Sequence, residues 1–188
     1  MALSRINSSM IGAGDVSNTE HAYLNSVTSN VQTQIDGVGG GKILQVKISN
    51  ALSSQAGNST QTLVDTGMTV DITPASASNK IFISASFTAR HTLSSANYAA
   101  GVLATLLRGS TELCSQNVLR DEPTGTNIHT FYWPMNFSFL DSPSTTSSTT
   151  YKIQFAKAGS YTYSTWVPAA GQSFAYNHAR IVVMEVEG

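Results

Sequence analysis

The run Lys80-Ile81-Phe82-Ile83-Ser84-Ala85-Ser86-Phe87 decides the fold. Read in steps of two, Ile81, Ile83, Ala85 and Phe87 fall on one side and Phe82, Ser84 and Ser86 on the other, the period of a strand with one core face. Working outward, the same texture recurs over 42–49, 63–72, 98–108, 112–118, 128–140, 149–158, 161–166 and 174–186. Clusters of Ser, Asn, Gly and Pro divide these runs as turns divide strands. Arg108-Gly109-Ser110-Thr111 reads as a tight hairpin turn, and residues 121–126 read as a polar loop. The last run, Ile181-Val-Val-Met184 onward, is β-branched and apolar on both faces, which suits a central strand. Eight or nine strands with no helical pattern after residue 41 predict an all-β head, an antiparallel β-sandwich or jelly roll over 42–188.

Upstream the texture changes. Residues 1–17 are small, polar and aperiodic and predict an extended arm. Ser17-Asn-Thr-Glu20 is a capping-box pattern, so a short helix is expected over 18–36. Its apolar stripe, Leu24, Val27, Val31 and Ile35, is spaced three, four and four, the narrow seam of a coiled coil. A helix this short and polar is marginal alone. Its stripe is expected to bind copies of itself, with docking on its own β-domain as the alternative. Gly37-Val-Gly-Gly-Gly41 then stops the helix and supplies a hinge.

Composition removes several functions. Charged residues make up only 11% of the 188 and the net charge is -1, against about 25% charged in ordinary domains. Ser and Thr replace them, 47 residues in all, a quarter of the chain, which predicts a surface of neutral hydrogen-bonding groups. The ten Lys and Arg are scattered from Arg5 to Arg180, so phosphate neutralisation and nucleic-acid binding are not expected. The longest nearly apolar run, 98–107, is half the ~20 residues that span a bilayer, and no secretory leader is legible. One cysteine, Cys114, rules out an internal disulfide and a Cys-based zinc site.

No reaction is written in the motifs. His21, His91, His129 and His178 lie in unrelated segments, are expected in loops or on the surface, and lack the spacing of metal ligands. Around Gly37–Lys42 a phosphate loop fails, because Asp36 stands where glycine is needed and Ile43 where a magnesium-holding hydroxyl is needed. No Gly-x-Ser-x-Gly elbow occurs. Asp121 and Glu122 are neighbours in a loop, a solvated turn and not a glycosidase pair. Cys114 reads as a small core residue. No enzyme, metal or cofactor is therefore expected. Two aromatic clusters could serve recognition by stacking on sugar faces: Tyr132 and Trp133 in one, Tyr161, Tyr163 and Trp166 in the other. The competing expectation places these rings in the core or at a subunit interface.

Two segments resemble a known family. Residues 19–36, with Glu20, Leu24, Val27-Thr-Ser29 and Gln32-Thr-Gln-Ile-Asp36, are similar to a repeated helix of bacteriophage tail fibres and related virion appendages. Val64-Asp-Thr-Gly-Met-Thr-Val-Asp-Ile-Thr-Pro-Ala-Ser-Ala-Ser-Asn-Lys-Ile81 resembles a signature of virion β-domains, many from phages of marine bacteria and cyanobacteria. The likeness runs over most of 19–188. It implies a structural protein on the exterior of the virion, a homotrimer bound to other virion proteins through residues 1–36, with the β-domain facing the medium. A tail-fibre-like or fibre-tip part that contacts a host-surface glycan is one expectation. A purely architectural capsid decoration, head fibre or connector is the other.

Overall fold

A computed structural model describes residues 42–50, 52, 54–93, 99–121, 129–159, 163–167 and 179–188, together with Thr19 and Thr33. The chain divides into two compact units, Met1–Gly40 and Gly41–Gly188. In the first, Thr19 and Thr33 are helical and exposed. The expected arm, the stripe of Leu24, Val27, Val31 and Ile35, and the glycine hinge lie outside the described residues.

The second unit is all β among its described residues. Its strands are β1 (Ile43–Ile48), β2 (Ala56–Asn58), β3 (Val64–Ile72), β4 (Lys80–Leu93), β5 (Ala99–Arg108), β6 (Thr111–Asp121), β7 (His129–Asp141), β8 (Thr149–Ala158), β9 (Tyr163–Val167) and β10 (Arg180–Val186). They form a four-stranded sheet ordered β3-β8-β5-β6 and a six-stranded sheet. In the larger sheet β1, β10, β4 and β7 lie side by side, and β9 with β2 prolongs the line of β10 along the far half of β4. Every pairing is antiparallel, and four of them are nested. β1 pairs β10, β3 pairs β8, β4 pairs β7 and β5 pairs β6. The chain is thus one long two-stranded ribbon doubled back at Gly109-Ser110 and rolled so that successive pairs alternate between sheets. That winding is a jelly roll.

The strand period places the core. Ile81, Ile83, Ala85, Phe87 and Ala89 of β4 are buried, joined by Met135 and Phe137 of β7 and by Ile181 and Val183 of β10. From the other sheet they meet Met68, Val70 and Ile72, Val102, Ala104 and Leu106, and Tyr151, Ile153 and Phe155. Each such burial stabilises the fold by ~1.5–3 kcal/mol. β10 is central, as its composition predicts, but Val182 and Met184 are only half-buried: its second face is the outside of the sheet. β2 has no counterpart in the sequence reading. Three residues, Ala-Gly-Asn, carry no strand signal and pair only because β9 lies beside them.

The family-like segment 64–81 turns out to be framework. Asp65 and Thr69 flank a bulge in β3, where Gly67 takes φ +85°, a region that costs other residues strain. Thr66 Oγ1 donates to Ile153 O at 2.8 Å and accepts from Met68 N at 3.0 Å, closing the bulge onto β8. Downstream, the loop 73–79 wraps a buried carboxylate. Glu185 Oε1 accepts from Ala75 N (2.7 Å) and Asn79 Nδ2 (2.6 Å), and Oε2 accepts from Gln45 Nε2 (2.6 Å). A second clasp joins the sheets at the same end. Asp141 receives Arg108 Nη1 at 2.9 Å and the Tyr151 hydroxyl at 2.7 Å.

Candidate functional site

Even-numbered residues of β4 point away from the core. At Arg90 this outer face carries a row running Tyr132, Arg90, Trp166 and Gly57 across β7, β4, β9 and β2. Tyr132 is 47% exposed. The guanidinium carbon of Arg90 lies 4.3 Å from the centroid of the Trp166 ring, a cation–π contact that holds both groups in place. Gly57 leaves room for the ring: a Cβ there would stand 3.0 Å from Trp166 Nε1, a close approach that would make the indole shift slightly. The adjoining row is Thr130, Thr92 and Ser164, with the Thr92 and Thr130 hydroxyls 3.1 Å apart. Two aromatic rings beside a guanidinium and a line of hydroxyls form a nearly flat platform. Its chemistry is stacking plus neutral and cationic hydrogen bonding, which suits the apolar faces and hydroxyl edges of sugars.

Trp133 does not belong to this platform, contrary to its place among the expected ligand-facing aromatics. Consecutive residues of a strand point to opposite faces, so exposing Tyr132 turns Trp133 inward. There it packs against the core, and its Nε1 donates to His91 Nδ1 at 3.1 Å. His91, expected in a loop or on the surface, is fully buried. Its ring lies 5.1 Å from Phe131 and 6.1 Å from Trp133, centroid to centroid. With Nδ1 accepting, the ring carries its proton on Nε2. Tyr163 lies in β9 with its side chain outside the described residues, as is all of Tyr161.

Other reactive groups serve the framework. Cys114 is half-buried beside the core, and burial, helped by Glu112, pushes its thiol pKa up, away from the thiolate a nucleophile needs. Desolvation, then the Asp141 hydrogen bond, pushes the Tyr151 phenol far above its ordinary value. Burial raises the Glu185 pKa, but hydrogen bonds from Asn79, Gln45 and the backbone at Ala75 and Ser76 outweigh it and leave the carboxyl below its ordinary value. Among the described residues no three His, Cys, Asp or Glu side chains converge on a metal-sized site, and no helix is long and apolar enough to cross a membrane.

Of the aromatics singled out from the sequence, Tyr132 and Trp166 share this row, while Arg90, Gly57 and the hydroxyl row were not among the candidates. The ladder brings residues 57, 90, 132 and 166 together from four separate runs. One signal was available: extending the alternation of 80–87 by three residues puts Arg90 on the outward side.

No protein-family model matches the chain, and no curated protein does. Among solved structures it is similar to the Gx strain of infectious bursal disease virus, at 13% identity and a TM-score of 0.34 over 78% of this chain and 38% of that one. The VP2 subviral particle of the same virus gives 14% identity and 0.34 over 78% and 38%. The Gt strain gives 14% and 0.33 over 76% and 37%. The chain spans under two-fifths of the length of these structures' chains. Superposition this loose speaks to no function, and the jelly-roll winding stands on the strand pairing itself.

Proposed function

We propose that the chain is a non-enzymatic virion structural protein of a bacteriophage, a trimeric tail-fibre-like or fibre-tip component on the exterior of the particle. Residues 1–36 attach it to other virion proteins, with Leu24, Val27, Val31 and Ile35 as the assembling stripe, and the jelly-roll head presents a surface to the host. The resemblance of 19–36 and 64–81 to virion appendages supports the setting. A single observation carries the recognition role: Tyr132 and Trp166, far apart in sequence, share one outward row around Arg90, beside a row of hydroxyls. A neutral or acidic surface glycan has the stacking faces and hydroxyl edges for that platform.

The test is binding of the full chain to host cells and to their isolated surface polysaccharide. Tyr132→Ala should weaken binding tenfold or more, about 1.4 kcal/mol, without altering the fold, since the ring is half in solvent. Trp166→Ala should weaken it further. Equal binding by wild type and both variants would defeat the recognition role. Binding to virions with none to host material would assign the head to decoration or connection instead.

A further inference from the structure

Charge is divided unevenly between the two outer faces of the head. Among the described residues, the outward positions of the larger sheet carry Lys80, Arg90 and Arg180 and no carboxylate, as the ladders of β4, β7, β9 and β10 place them. The outward positions of the smaller sheet carry Asp65, Asp71 and Glu112 against Lys152 alone. In a chain of net charge -1 with 11% charged residues, a face with cations and no anion holds a positive field of its own. Two of the cations are near each other. Arg180 pairs with Ser86, four residues before Arg90 on β4, so at ~3.3 Å per residue and ~4.8 Å between strands their Cα atoms lie about 14 Å apart. The face between them is open: Ser86 on β4 and Pro134 and Asn136 on β7 are exposed. Asn136, Ser86 and Arg180 form one ladder row.

We infer that the platform takes an acidic polysaccharide, a chain of sugars bearing carboxylate or sulfate groups, laid along the face from Trp166 and Tyr132 toward Arg180; this rests on the sugar-binding role proposed above and adds the sign and spacing of the ligand's charge. Each guanidinium presents a planar fork of donors that fits the paired oxygens of an acid group. Both are held in place beforehand, Arg90 over the Trp166 ring at 4.3 Å and Arg180 by donation from Nη1 to Ala179 O at 3.0 Å, which reduces the cost of ordering them on binding. At a separation of about 14 Å the two are beyond the reach of one small anion, so the ligand is a polymer whose charge recurs along its length. Nucleic acid fits the spacing poorly. A strand carries one phosphate per ~3.4 Å, about four over this span, against two guanidiniums, and the row of Thr92, Thr130 and Ser164 answers sugar hydroxyls. The carboxylates of the opposite face repel the same ligand, so one side of the head engages it.

The experiment measures the affinity of the full chain for polygalacturonate and for the same polymer with its carboxyls reduced to alcohols, at about 0.01 M ionic strength, where the screening length is ~30 Å. Dextran sulfate against dextran repeats the comparison for sulfate and tells the two acid groups apart. At least one charged polymer should bind tenfold or more tighter than its neutral form, and the gap should close toward about 1 M salt, where the screening length is ~3 Å. Arg180→Gln removes a cation from the open strip and Asn136→Asp adds an anion to it. Each should weaken binding of the charged polymer threefold or more and leave the neutral one unchanged, while the control Asp71→Asn on the opposite face changes neither. Equal affinity for charged and neutral forms, no binding to any of these polymers, or indifference to both strip variants would overturn the inference. Host-cell binding that still falls in Tyr132→Ala would then keep the platform's recognition role, and its absence would remove that as well. Single-stranded DNA bound as tightly as the charged polymer would also overturn the inference, because the face would then sort ligands by charge alone.

Discussion

Replacing Glu185 tests whether the loop 73–79 is held by one buried carboxylate. The side chain is fully buried and accepts from the Asn79 and Gln45 side-chain amides and from the Ala75 backbone, all at 2.6–2.7 Å. Hydrogen bonds to a charged group contribute about 1.5–3 kcal/mol each, but three that share one carboxylate do not add in full. Glu185→Ala strands the Asn79 amide and the Ala75 N–H in a buried site, a loss of about 3–5 kcal/mol from a total of ~5–15. In urea, with a slope of ~1–3 kcal/mol per molar, the midpoint should fall by about 2 M at pH 7. Glu185→Gln keeps the shape but must point an N–H at a donor, and should fall about half as far. The pH dependence has a fixed sign. The folded carboxyl sits below its ordinary value, so its stabilisation is present above the ordinary carboxylate range and disappears as pH falls through the folded value. Wild type should therefore lose stability in acid more steeply than Glu185→Gln, and the two curves should converge at the acid end. A midpoint unchanged in Glu185→Gln at pH 7, or parallel acid limbs, would refute the reasoning.

Asp141→Ala should cost about 3 kcal/mol, because it leaves the Arg108 charge and the buried Tyr151 hydroxyl without their shared acceptor; thermal melting of the full chain checks it. Gly67→Ala should cost about 1–2 kcal/mol from backbone strain at φ +85°, with the added methyl 3.2 Å from Leu52 Cδ2, and a midpoint equal to wild type would contradict the bulge. Raising salt to 1 M should leave the urea midpoint nearly unmoved, because the Lys152–Asp65 pair is exposed on its acidic side and such pairs contribute ~0–1 kcal/mol; a large salt-induced loss would mean that charge, not burial, holds the head.

What could be read ahead of the structure followed the range of the forces involved. Alternation along 80–87 is local, and it located the core face of β4 to the residue. The turn at Gly109-Ser110 and the central place of β10 came from equally local chemistry. Tyr132 and Trp133 show where such reading stops: both were candidates by residue type, yet strand alternation allows only one of them to face solvent. Trp133 instead fills the core beside His91, a partner 42 positions away. The Glu185 clip and the Arg90 row were equally invisible, since their members meet only through ladders that join distant runs. β2 exists solely because β9 offers it an edge.

The nested ribbon also sets a timetable. β1 is translated among the first strands of the head, but its partner β10 is the last, and more than 130 residues separate Ile48 from Val182. At ~5–20 residues per second, the first strand waits roughly 7–30 s on the ribosome before its ladder can form. Contacts of such long sequence separation are also slow to close once the chain is free. Throughout that wait β1 has no paired edge, so the newborn chain carries an open strand at 43–48 until β10 has been made.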